Sequence, residues 1–166
     1  MIDATQIKDT VRWKEKDINE VRFSDYEIYH AINEVLRYIT ARLANMQSDL
    51  LEREKTYGRD EFVGGAVFLP DDFMSVKGVY RTADHYRLHA VSDDHVDAYT
   101  FRLFAGRIYA TQEITLHYYG KLLPVYEGGQ VMLPDMFLDA IVKLTRLVLN
   151  NTDVDTMTQA VTTETD

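Results

Sequence analysis

The chain has 166 residues, 46% of them hydrophobic and 11% aromatic, with 18 basic against 27 acidic side chains and a net charge of −9. That length holds one ordinary domain. With no cysteine, disulfides and thiolate metal sites are excluded, and the acidic balance argues against a protein that coats nucleic-acid phosphates. Residues 1–13 lack the basic stretch and apolar run of a secretory leader, and no run of about 18 apolar residues marks a membrane span. Eleven tyrosines beside one tryptophan are expected half-buried on strands or at partner surfaces.

The first predicted element is a helix over 5–13, with Ile7, Val11 and Trp13 sharing a face. Residues 14–22 alternate in charge without an apolar stripe and read as a loop. Ser24-Asp25-Tyr26-Glu27 has the spacing of a capping box, in which Ser24 accepts from the Glu27 N–H and the Glu27 carboxylate reaches back to the Ser24 N–H. Phe23 before the cap and Ile28 after it fit a hydrophobic staple. Ile28, Ile32, Val35, Ile39, Leu43, Met46 and Leu50 then recur at spacings of three and four without a Pro or Gly, which predicts one helix over 24–52, on the order of 40 Å long at 1.5 Å per residue. A helix of that length exceeds the needs of a small core and implies contact with another helix or subunit.

From 62 to 131 β-branched and aromatic residues dominate, predicting five or six antiparallel strands inserted between helices. Pro70 should end a strand, with Asp71 capping a helical turn over 72–75. Tyr99, Phe101 and Leu103, a turn at Ala105-Gly106, then Ile108 and Ala110 make a hairpin pattern. Leu133-Pro134-Asp135 opens a last helix over 134–150, with Phe137, Ile141, Leu144 and Val148 on its buried face. Residues 152–166 hold six threonines, four acidic residues and no basic one, a composition that does not fold alone. The expected organisation is a single α+β domain over 1–151 built around one long central helix, followed by this acidic tail.

Catalytic chemistry is hard to find in this pattern. Asp84, His85, His89, Asp93, Asp94, His95 and Asp97 are the one dense group of metal-ligating types. On a strand, however, His85 and His89 would lie about 13 Å apart. A solvated loop is the expectation, and a monomeric metal-binding or partner-binding module using this region is the alternative. His117 and His30 lie beside apolar faces without a partner pattern. No nucleophile elbow, dinucleotide loop or phosphate-binding loop occurs. No catalytic residue, metal or cofactor is expected.

Taken in order, Arg22-Phe23-Ser24-Asp25-Tyr26-Glu27 leading into Ala31-Ile32-Asn33-Glu34-Val35-Leu36, then Leu69-Pro70-Asp71-Asp72-Phe73 with Val79-Tyr80, then Leu116-His117-Tyr118-Tyr119, then Leu133-Pro134-Asp135, resemble the head-to-tail adaptor (connector, head completion) proteins of tailed bacteriophages, the tail tubular protein A type. The resemblance spans about 5–150. It implies a helical bundle carrying a β insertion, and a virion structural protein that forms a ring, usually of twelve copies, under the portal with the tail below. It implies assembly in the host cytoplasm, and contact with the portal through residues 134–166, where Phe137, Leu144, Val148, Met157 and Val161 are the apolar candidates. An acidic wall suits passage of double-stranded DNA, because it repels the duplex rather than holding it.

Overall fold

The computed structural model describes residues 1–150, which form two compact units, Met1–Leu50 with the chain from Leu122 onward, and Leu51–Lys121. Among the described residues three α-helices stand beside nine strands in three sheets. The expected helical bundle with one long central helix is not what forms.

In the first unit, β1 (Ile2–Asp3) leads into α1 (Ala4–Lys14). Asp3 caps this helix by accepting from the Thr5 N–H at 2.7 Å. Ile7 and Val11 are buried, but Trp13 is 68% exposed and does not share their face. The loop that follows is built on Asp17, whose carboxylate accepts from the backbone N–H groups of Val21, Arg22 and Phe23 at 2.9 to 3.0 Å. Arg12 closes it, donating to Asp17 at 3.1 Å, to the Phe23 carbonyl at 2.9 Å and to Asp25 at 2.6 Å. The segment is polar, yet two buried charged groups, Arg12 and Asp17, give it one shape.

The second helix, α2 (Asp25–Asn45), is capped by Ser24, whose Oγ accepts from the Glu27 N–H at 3.1 Å. The return arm of the expected box differs: the Glu27 carboxylate meets the Ser24 hydroxyl at 3.3 Å rather than its backbone N–H. Ile28 is fully buried and Phe23 half-buried, with the Arg22 guanidinium over the Phe23 ring at 4.9 Å. The helix ends at Asn45, seven residues short of the predicted 52. Gln47 takes a left-handed φ of 51°, its N–H donating to Ala44 O at 3.0 Å, and Ser48 N–H donates to Leu43 O at 3.0 Å. That is a Schellman ending with Gln where the sequence signal would be Gly. Met46, counted in the apolar stripe, is 46% exposed beyond it.

After the second unit the chain returns along α2. Asn33, buried, donates to the Val125 carbonyl at 3.0 Å and accepts from its N–H at 2.7 Å. Thr40 Oγ1 accepts from Leu122 N–H at 3.1 Å. Strand β9 (Gln130–Val131) pairs antiparallel with β1. Pro134 then precedes a 3-10 turn, Asp135–Phe137, and α3 (Leu138–Leu149), which packs on α1 and α2.

The second unit holds β2 (Glu52–Tyr57), β3 (Ala66–Phe68), β4 (Phe73–Arg81), β5 (His89–Ala90), β6 (Thr100–Phe104), β7 (Arg107–Tyr109) and β8 (Ile114–Gly120). They order as β2-β8-β4 and β3-β7-β6-β5, around a core that includes Tyr57, Val67, Val79, Phe101, Ile108, Ile114 and Leu116. The β region therefore starts at Glu52, not 62. Strand β2 reads EREKTY, an edge strand whose polar side chains hide it from an apolar-alternation test. The expected hairpin is present as β6–β7, its Ala105 and Gly106 at φ of 53° and 76°.

Pro70 ends β3 as expected, but no helical turn follows. The Phe73 N–H donates to the Pro70 carbonyl at 3.0 Å and β4 begins at once. Asp72 is spent elsewhere, accepting from the Tyr118 hydroxyl at 2.8 Å while its backbone carbonyl takes the Lys121 N–H. The Tyr57 hydroxyl similarly donates to Phe68 O at 2.7 Å, and burial pushes its phenol up to about 12. Burial and the Asp72 hydrogen bond also push Tyr118 upward. Both tyrosines are neutral donors at any physiological pH and act as pegs in the core.

Replacing Asn33 by Ala strands the buried N–H and C=O of Val125, so about 3 kcal/mol of stability should be lost, read as a lower urea midpoint in far-UV circular dichroism. A pH test follows from the loop. Asp17 is held below its ordinary range by the Arg22, Phe23 and Val21 N–H groups and by Arg12, and Asp25 by Arg12 and Lys8. Burial raises Glu15, but Arg146, Asn150 and Arg22 outweigh it and hold it low. All three folded values are depressed, so their stabilisation is complete above about pH 5 and is lost progressively as pH falls below it. The first unit should destabilise steeply there, and Arg12→Met should flatten that slope.

Candidate functional site

The region of Asp84 to Asp97 is a set of loops in which each carboxylate serves the local backbone or a cation. Asp84 accepts from Arg81 through both oxygens, at 2.9 and 2.6 Å, and from the Tyr86 N–H at 3.2 Å. The Arg81 hydrogen bonds pull its carboxyl down to about 2. The Arg81 guanidinium in turn lies over the rings of Tyr86 and Tyr99, at 4.9 and 5.4 Å. Asp93 accepts from the His95 N–H at 3.0 Å, and Asp97 from the Tyr99 N–H at 2.8 Å. Asp94 pairs with Arg102.

His85 sits at φ 57° in a turn, and His89 lies near the Tyr86 hydroxyl at 3.5 Å. Among the described residues no three His, Asp or Glu side chains converge as a metal site. His117 meets the edge of the Tyr80 ring at 5.0 Å, and exposed His30 stacks on Tyr26 at 6.2 Å. His117 lies directly across the β2–β8 pair from Glu54. A groove of about 640 Å³ runs along β4 and β5, lined by Val76, Val79, Leu88, Phe101 and Leu103 with Lys77 and Arg87 beside them. Its lining is mostly aliphatic and aromatic, and Lys77, Arg87 and His89 are its polar side chains.

A more pronounced feature is the outer face of the four-stranded sheet. Phe68 pairs with Arg107, and Arg107 with Phe104, so the three side chains share one face in a row across β3, β7 and β6. Phe68 is 65% exposed and Phe104 53%. Arg107 stacks over Phe68 at 4.7 Å and Arg102 over Phe104 at 4.3 Å. The opposite face carries Val67 and Ile108 into the core. Sequence alternation located the hairpin but could not say which face stays bare, because both faces carry large apolar residues.

The residues singled out in the sequence fall as follows. Ser24, Glu27, Phe23 and Ile28 begin α2, and Pro70 and Pro134 mark the starts of a strand and a helix respectively. Phe137 and Leu144 are buried within the first unit and Val148 is half-buried, so the first two are core residues rather than contact surface. Met157 and Val161 lie outside the described residues. No protein-family model and no curated protein matches the chain.

The Asp84 carboxyl should titrate with a midpoint near 2 by carbon-detected NMR. Arg81→Ala should return it to the ordinary range near about 4. The stabilisation it lends the turn is then present above that range and vanishes as pH falls through the folded value.

Proposed function

We propose that the chain is a head-to-tail adaptor of a tailed bacteriophage, a virion structural protein whose copies form a ring between portal and tail around the DNA passage. The observation that carries this reading is the bare Phe68-Arg107-Phe104 face with Arg102 beside it. Arginine and aromatic side chains are enriched where proteins bury contact surface, and their stacked pairs are stiff enough to bind at low entropic cost. A monomeric enzyme would instead concentrate titrating groups in a cleft. A ring subunit needs surface for two neighbours and for the machinery on either side, and a head-to-tail contact closes into a ring when its rotation allows. The ordered motif series from Arg22 to Asp135 selects the adaptor among contact-building proteins, and the net charge of −9 suits an unadhesive DNA conduit.

Mixing the chain with cognate portal particles and imaging by electron microscopy should show a symmetric added ring. Phe104→Ser with Arg107→Glu should reduce its occupancy severalfold while the circular dichroism spectrum is kept. Bare portals, together with normal virion yield from a phage lacking the gene, would overturn the reading.

A further inference from the structure

The groove along β4 and β5 exists because two strands diverge. The end of β4 pairs with the segment that follows it: the Arg81 N–H donates to the Tyr86 carbonyl at 2.8 Å and the Leu88 N–H to the Val79 carbonyl at 2.9 Å, with Tyr80 opposite Arg87. Continued further, that ladder would set Ala90 against Lys77. It stops because β5 turns to β6, the His89 N–H donating to the Tyr99 carbonyl and the Val91 N–H to the Phe101 carbonyl, both at 2.9 Å. Alternate residues of a parallel strand face its neighbour, so the N–H and carbonyl of Ala90 point away from β6, on the side of the groove that Ala90 lines. On the other wall β4 shifts register between Val76 and Gly78, and among the described residues no backbone bond reaches either from outside the β4–β8 ladder.

Two strand edges therefore border one groove of about 640 Å³, and an open edge is a place where a further strand pairs. The floor is apolar, with Val79, Leu88 and Phe101 buried. Lys77 and Arg87 are cationic and no carboxylate is among the lining residues described, in a chain of net charge −9. Lys77 pairs with Glu52, whereas the Arg87 guanidinium donates to the Lys77 carbonyl at 3.4 Å and has no acidic partner among the described residues. We propose that this groove takes an extended acidic peptide of a partner chain, which pairs its backbone with Ala90, lays apolar side chains on Val79, Leu88 and Phe101, and presents a carboxylate to Arg87. Main-chain pairing then supplies affinity, and the alternate side chains supply selectivity. The groove shares no residue with the Phe68-Arg107-Phe104 face, so the inference survives failure of the adaptor reading.

The probe is an N-acetylated, C-amidated hexapeptide of alternating valine and glutamate, titrated into the isotope-labelled full chain and followed by NMR. Shifts should concentrate at the amides of Gly78, Val79, Leu88 and Ala90, and hydrogen exchange at the Ala90 N–H should slow severalfold. Arg87→Glu should weaken binding about tenfold at unchanged circular dichroism. Ala90→Pro removes the outward donor while sparing the bonds that His89 and Val91 make to β6, and it should weaken binding severalfold. Arg87→Glu keeps the test decisive if the proline disturbs the strand. Absence of shifts at millimolar peptide, equal binding of the valine–lysine hexapeptide, or shifts without slowed exchange at Ala90 would overturn the proposal. So would sodium decanoate giving the same shifts at lower concentration, which would make a free carboxylic acid the occupant.

Discussion

The chain leaves its first unit after Leu50 and re-enters it at Leu122, and the pairing of Asn33 with Val125 fixes the re-entry. One buried amide side chain satisfies both polar groups of a single peptide residue, as a neighbouring strand would. Thr40 holds Leu122 two turns further along α2. With the returning segment fastened at two points, β9 is delivered to β1 and α3 to its place against α1 and α2. The cost of leaving these backbone groups unpaired in the interior gives the register its specificity.

The other polar framework of this unit is the Arg12, Asp17 and Asp25 network. Arg12 and Asp17 are both nearly inaccessible, which is expensive for ions unless every lone pair and proton is used. Asp17 meets that condition with three backbone donors and one guanidinium. Glu15, two residues earlier, holds Arg146 of α3 and Asn150, the residue that caps the end of that helix. A charged segment without an apolar stripe is thereby given a fixed path, and a groove lined by Trp13 and Ile18 lies along it.

The two bare surfaces have different characters. The sheet face is arginine and phenylalanine, stacked on one another. The Trp13 groove is apolar with Lys14 and Lys16 at its side.

Several features could be read from residues alone because their causes are local. Ser24 caps α2 and Asp3 could have been named as the cap of α1, since N-capping depends on a few neighbouring atoms. The β6–β7 hairpin followed from alternation and a turn that both flanking strands demand. The end of α2 did not, because Gln47 adopts a left-handed backbone that only the surrounding structure imposes on a residue of that type. The twin Leu-Pro-Asp motifs show the same limit. Identical local signals produce a strand after Pro70, where Tyr118 and Lys121 claim Asp72, and a helix after Pro134, where α1 and α2 offer a groove. Sequence by itself determined where α2 starts and where the β6–β7 hairpin turns, because caps and tight turns are short-range. Tertiary structure alone decided where α2 stops, that a polar EREKTY segment becomes a strand, and which aromatic residues face water, because each depends on partners distant in the chain.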